Sequence, residues 1–126
     1  MIHLDTHVVA WLYAGRLDLI PARARTRIEG SALGISPMVL LELDLLHEIG
    51  RTRAGSADVL AALERDLDLR VSEAAFPRIA RIAGTLTFTR DPFDRLIAAT
   101  ALAEDVPLLT ADRLLLEHCP TAVWDA

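Results

Sequence analysis

Residues 90–101 read Arg90-Asp91-Pro92-Phe93-Asp94-Arg95-Leu96-Ile97-Ala98-Ala99-Thr100-Ala101. Pro92 suits the first position of a helix, where its missing amide hydrogen costs nothing, and Asp91 ahead of it can cap the free amides. Asp94 follows at the place of a capping-box acid. A helical wheel nevertheless sets Asp94 on the face of Ala98 and Ala101, small residues that let a helix approach its neighbours. The spacing predicts a helix to about Glu104 with a carboxylate turned toward the core. A carboxylate there needs a partner.

Working outward, other acids occupy comparable positions. Ile2-His3-Leu4-Asp5 reads as a short strand running into a helix over Thr6 to Ala14, with Val8, Val9, Trp11 and Leu12 as its apolar surface. Asp5 thus ends a strand, and in an open parallel sheet that end borders the ligand crevice. Capping the helix is its plainer role. Val106 to Thr110 is a second apolar run of strand length, with Asp112 just beyond it, where an N-cap also fits. Between them, Gly34-Ile35-Ser36 predicts a strand and Ser36-Pro37 a helix start, with the helix running to about residue 50. Asp44, His47, Glu48 and Arg51 form its expected solvent face; Met38, Val39, Leu45, Leu46 and Ile49 form the inward stripe, with Glu42 in its middle. A buried Glu42 calls for a cation or a proton.

The remaining segments continue the alternation. A helix is expected over 22–29, where Arg23 and Arg27 share one face and Arg25 points elsewhere. The glycine-bounded loop 50–56 carries Arg51 and Arg53, which either contact nucleic acid or keep the loop soluble, and Ser56 is the expected cap of a helix to about Asp66. A strand over 68–72 leads into a helix to about Ala83 with Phe76, Ile79 and Ala80 as core, and Ala122 to Trp124 suits a closing edge strand. Strands alternating with helices throughout imply a parallel sheet covered on both faces, an α/β architecture.

The 126 residues, 52% hydrophobic, suit one domain over 1–126. The lone Cys119 leaves no intramolecular disulfide, no signal sequence is evident, and no apolar run nears the roughly 20 residues of a membrane span. The cytoplasm is the expected compartment. A net charge of −5 argues against a broad nucleic-acid-coating surface but leaves room for local binding by a few arginines, the only basic type among the 13 Lys and Arg.

Asp5, Glu42, Asp94 and Asp112 can all reach one crevice in such a sheet. Carboxylate oxygens are the ligands that Mg²⁺ or Mn²⁺ prefers, and no cysteine and histidine spacing suits zinc. Such an ion activates water for attack on phosphorus, which points to phosphodiester hydrolysis by one ion or two. Thr6 and Thr110 are candidate holders of metal-bound water, and Asp91 is either an outer acid or only the helix cap, the cap being the simpler role.

Leu4-Asp5-Thr6, Glu42, Asp91-Pro-Phe-Asp94-Arg-Leu-Ile-Ala-Ala and Leu109-Thr110-Ala-Asp112, in this order and spacing over essentially the whole chain, resemble the PIN-domain ribonucleases, especially VapC-type toxins of toxin–antitoxin systems. The resemblance implies a PIN-like three-layer α/β fold with a central parallel sheet flanked by helices. It also implies a Mg²⁺- or Mn²⁺-dependent endoribonuclease with Asp5, Glu42, Asp94 and Asp112 as its acids and Thr110 in support. Further implications are an RNA substrate, a homodimer, and a cognate antitoxin protein that blocks the acidic site. A receiver domain is excluded because the chain has no lysine for its phosphate contact, and a haloacid-dehalogenase-type phosphatase because His7 stands where its second Asp belongs. A non-catalytic RNA- or protein-binding module of the same fold is the alternative.

Overall fold

The computed structural model describes residues 1–125. Five strands form one parallel sheet in the order β3-β2-β1-β4-β5: β1 Ile2–Leu4, β2 Leu33–Ile35, β3 Arg70–Val71, β4 Leu108–Leu109 and β5 Ala122–Val123. Seven helices flank it among the described residues: α1 Thr6–Ala14, α2 Ala22–Glu29, α3 Pro37–Glu48, α4 Ser56–Leu67, α5 Phe76–Ala83, α6 Pro92–Ala103 and α7 Arg113–His118. Every residue of β1, β2 and β4 is buried, so both sheet faces are covered, as short apolar parallel strands require. The chain winds outward from β1 on one side and from β4 on the other. The order therefore reverses between β1 and β4, the place where open α/β sheets leave a crevice at the strand ends.

Local chemistry sets the boundaries. Ser36 caps α3 through a hydrogen bond that the Met38 amide donates, and Asp91 caps α6 by accepting from the Phe93 and Asp94 amides. Gly15 ends α1 in the left-handed conformation, φ 72°, which glycine adopts without strain. In β2, Gly34 is required for a different reason: a Cβ there would stand 2.9 Å from the ring of buried His3, which faces Glu104. The α6 face of Ile97, Ala98, Ala101 and the strands of β1 and β4 share the main core.

Four expectations are corrected. The inward face of α3 is Val39 and Leu43, whereas Leu45 and Ile49 are 40% and 66% exposed. Asp44, expected in solvent, instead accepts hydrogen bonds from the Ser56 amide and hydroxyl, at 2.7 and 2.9 Å. This tertiary bond ties α3 to α4, and it leaves Gly55, not Ser56, at the N-cap of α4. On α5 only Ile79 and Ala83 are buried; Phe76 is 60% exposed and Ala80 lies outward. The wheel of an eight-residue helix with a proline at its start fixes the stripe poorly, and the packing of α5 on α6 decides it.

Candidate active site

Acids from several elements come within electrostatic reach of one another near the β1–β4 reversal. Asp5 follows β1, is 6% exposed, and has both oxygens engaged: Oδ1 accepts from the Thr6 amide at 2.8 Å and Oδ2 from the Thr110 hydroxyl at 2.6 Å. Thr110, fully buried at the end of β4, accepts in turn from the Asp112 amide at 3.0 Å. One hydroxyl thus fixes the acid of one strand to the loop of its neighbour. Asp112 caps α7, with Oδ1 accepting from the Leu114 and Leu115 amides. Both plainer roles, helix caps at Asp5 and Asp112, are real here and coexist with a place in the crevice.

Asp94, in the first turn of α6, has a half-buried carboxylate with no hydrogen-bond partner among the described residues. Burial, reinforced by the negative charges of Asp91, Asp112, Asp5 and Glu42, pushes its pKa up to about 7. Glu42 on α3 is also shifted upward, first by burial; the Thr6 hydroxyl facing it pulls the other way. That hydroxyl is buried without a well-formed hydrogen bond. Burial likewise raises Asp5 against the opposing pull of Thr110 and the Thr6 amide.

All four acids therefore feel one another's charge, directly or through a shared neighbour, although they come from four separate elements. Asp91 stands at the margin as the cap of α6 and adds to the repulsion on Asp94. Among the described residues no three His, Cys, Asp or Glu side chains stand close enough to grip an ion between them. The donor set itself is all oxygen and mutually repelling, which is the character of a site for a hard divalent cation. His7 is exposed and tilted against Trp11 at a centroid distance of 6.2 Å.

Thr110 offers a direct check of this linkage. Replacing it by Val removes the hydroxyl that holds Asp5 Oδ2, and buried polar groups left unpaired cost about 1–3 kcal/mol. Thermal denaturation is expected to show that loss for Thr110→Val, with Thr110→Ser close to wild type. Equal losses in both would mean that packing, not the hydroxyl, is what Thr110 supplies.

Sequence reasoning did not find a cavity of about 650 Å³ between α1, α3 and the loop 50–55, whose edge His7 shares with the acids. The arginines of that loop were visible, but the hydrogen bonds that fold it back were not.

Comparison with known proteins identifies the family. The family model described as PIN domain matches residues 2–119. The chain is 32% identical over 126 residues, 96% of each chain, to Ribonuclease VapC22 of Mycobacterium tuberculosis. Its fold superposes on a toxin–antitoxin complex from Klebsiella pneumoniae with a TM-score of 0.70 and 17% identity over 100% of both chains. VapBC2 from Rickettsia felis, solved bound to a DNA fragment from its promoter, gives a TM-score of 0.65 and 20% identity over 99% of this chain and 100% of that one. With the acids at the sheet reversal and this relationship along nearly its whole length, the chain belongs to the PIN-domain family and resembles the VapC-type toxins within it.

Proposed function

We propose that the chain is a single-domain, metal-dependent endoribonuclease that hydrolyses RNA phosphodiester bonds as the toxin of a toxin–antitoxin pair. The observation that carries this reading is Asp94: a half-buried acid without a hydrogen bond, raised to about 7 by burial and the surrounding carboxylates, in the crevice of a relative of a VapC ribonuclease. Asp5, Glu42, Asp94 and Asp112 are the residues that would hold Mg²⁺ or Mn²⁺. A bound ion of this kind lowers the pKa of a water and stabilises charge on phosphoryl oxygens. Asp5, pinned by Thr110 and the Thr6 amide, is the rigid member of the set. Asp112 has Oδ1 committed to α7 and keeps Oδ2 for the crevice. Asp94 and Glu42 supply the charge that must be neutralised before RNA phosphate can approach, and the Thr6 hydroxyl beside Glu42 is free to orient a water.

A protein antitoxin is the expected partner, since the solved relatives include toxin–antitoxin complexes. A homodimer is supported by an exposed apolar stripe: Leu41 and Leu45 of α3 and Ile49 at its C-cap, at four-residue spacing, are 48%, 40% and 66% exposed. The cytoplasm fits an RNA substrate, and no helix among the described residues is long and apolar enough to cross a membrane.

The test is cleavage of a panel of transfer, ribosomal and messenger RNA with Mg²⁺ or Mn²⁺, comparing wild type with Asp5→Asn and with excess chelator. Cleavage is expected in wild type and in neither control. Cleavage that persists in chelator would sink the metal-dependent reading; folded wild type that binds RNA yet cuts none of the panel would favour the non-catalytic module.

A further inference from the structure

The cavity beside the acids is built from aromatic and cationic groups in a chain of net charge −5. Its lining includes apolar Leu43 and Leu46 of α3, Trp11 and Tyr13 of α1, and Arg51 and Arg53 of the loop 50–55. Trp11 is half-buried and braced by Trp124 at a centroid distance of 6.0 Å, so its ring is a fixed wall.

The loop is held, too. Gly50 turns it at φ 78°, the His47 ring meets the Thr52 carbonyl at 3.0 Å, the Thr52 hydroxyl donates to the Ala54 carbonyl, and Asp44 clamps Ser56. These bonds present Arg51 and Arg53 on the cavity rim. Arg16, Arg65 and Arg70 pair with Asp18, Asp66 and Asp68, whereas Arg51 and Arg53, like Arg23, Arg25, Arg78, Arg81, Arg90 and Arg113, form no ion pair among the described residues; what sets Arg51 and Arg53 apart is that both line the cavity. Two exposed, uncompensated guanidiniums on a pinned loop are an anion site in search of phosphate, since guanidinium geometry matches phosphate oxygens.

We propose that this cavity is a nucleotide subsite for single-stranded RNA: a base stacks against Trp11, and Arg51 and Arg53 hold an adjoining phosphate. The proposal rests on the reading of the acids as a ribonuclease centre. His7 lines the cavity and stands within electrostatic reach of both Asp5 and Glu42, so the cavity adjoins the acids. A volume of about 650 Å³ accommodates a nucleotide, and a stack on an aromatic wall tolerates any base because every base has a π-face. The subsite also resolves an electrostatic difficulty. The acids alone repel RNA, and a cationic rim on the cavity that His7 shares with them supplies attraction for the phosphate chain.

The experiment measures binding of a fluorescent, mixed-sequence single-stranded RNA of roughly a dozen nucleotides, a length within known single-strand site sizes. The full chain is used in chelator, so that nothing is cut, over a series of salt concentrations. Arg51→Ala/Arg53→Ala, with both positions exposed, is expected to keep the wild-type melting temperature and bind about 10-fold more weakly. Its slope of log affinity against log salt should be shallower by about 0.7, the contribution of the one phosphate that the pair neutralises. Wild-type affinity and slope in the double variant overturn the proposal, as does wild type that binds no RNA at low salt. A variant that loses a co-expressed partner protein while binding RNA normally also overturns it and makes the cavity a protein-docking surface. Because binding is read without metal, the two readings separate: arginine-dependent binding by a chain that cuts nothing leaves the subsite standing and removes the nuclease, and the reverse result does the opposite.

Discussion

Replacing Asp94 by Asn is expected to lower RNA cleavage by at least ~100-fold, the scale of losing one preorganised electrostatic group at a reacting phosphate. The same change is expected to stabilise the metal-free protein. Asp94 ionises at about 7 in the folded chain against 3.8 for the ordinary side chain, because burial and the charges of Asp91, Asp112, Asp5 and Glu42 hold the proton on. Between those two values the folded state binds more protons than the unfolded state, so this group's contribution to stability is complete below the lower value and is lost as pH rises through the upper one.

Melting temperatures of wild type in chelator should therefore fall between about pH 4 and pH 7 on account of Asp94, and Asp94→Asn should flatten much of that fall. Raised Asp5 and Glu42 leave a residual slope of the same sign. Mg²⁺ should restore stability to wild type at pH 8 and do less for the variant. Activity lost together with stability, at every pH, would instead mark Asp94 as a fold-holding residue. The opposite movement of activity and stability is the signature of a group kept for chemistry at a cost to folding.

The stretch from Arg90 to Ala101 made both the fold and the site legible because helix chemistry is local. A cap at Asp91, a proline at the first turn and a run of small residues determine where α6 starts and which face approaches the sheet. Asp5 and Asp112 were legible for the related reason that a strand's end is marked by where its apolar run stops. Leu45, Ile49 and Phe76 were misread because their surroundings are tertiary: which side of α3 or α5 faces the core depends on neighbours far along the chain. The Thr110 bridge illustrates the same limit. Its bond to Asp5 joins residues 105 apart, and nothing in either local sequence specifies it. The cavity between α1 and α3 lay out of reach for this reason as well, since the loop that lines it is folded back by the tertiary bond between Asp44 and Ser56.

The small residues of α6 lead to the second large effect, an expected loss from Ala98→Leu in both stability and rate. Ala98 and Ala101 are fully buried, and Ile97 beside them is 1% exposed, so α6 packs on its neighbours with no space for a longer side chain. Overpacking of this kind costs about 1–3 kcal/mol, which urea denaturation reads directly. The extra volume lies one turn from Asp94 on the same face. To fit, α6 must back away or rotate, and Asp94 moves with it. A misplacement of about 1 Å costs on the order of 100-fold in rate, so cleavage by the folded fraction should fall that far although no acid has changed. Ala99→Leu serves as the comparison, because Ala99 is equally buried but packs with Ile79 and Ala83 of α5 in a separate cluster. It should cost comparable stability and less rate. Were both variants destabilised with cleavage untouched, the close approach of α6 would serve folding alone, and the position of Asp94 would have to be set by its own cap at Asp91.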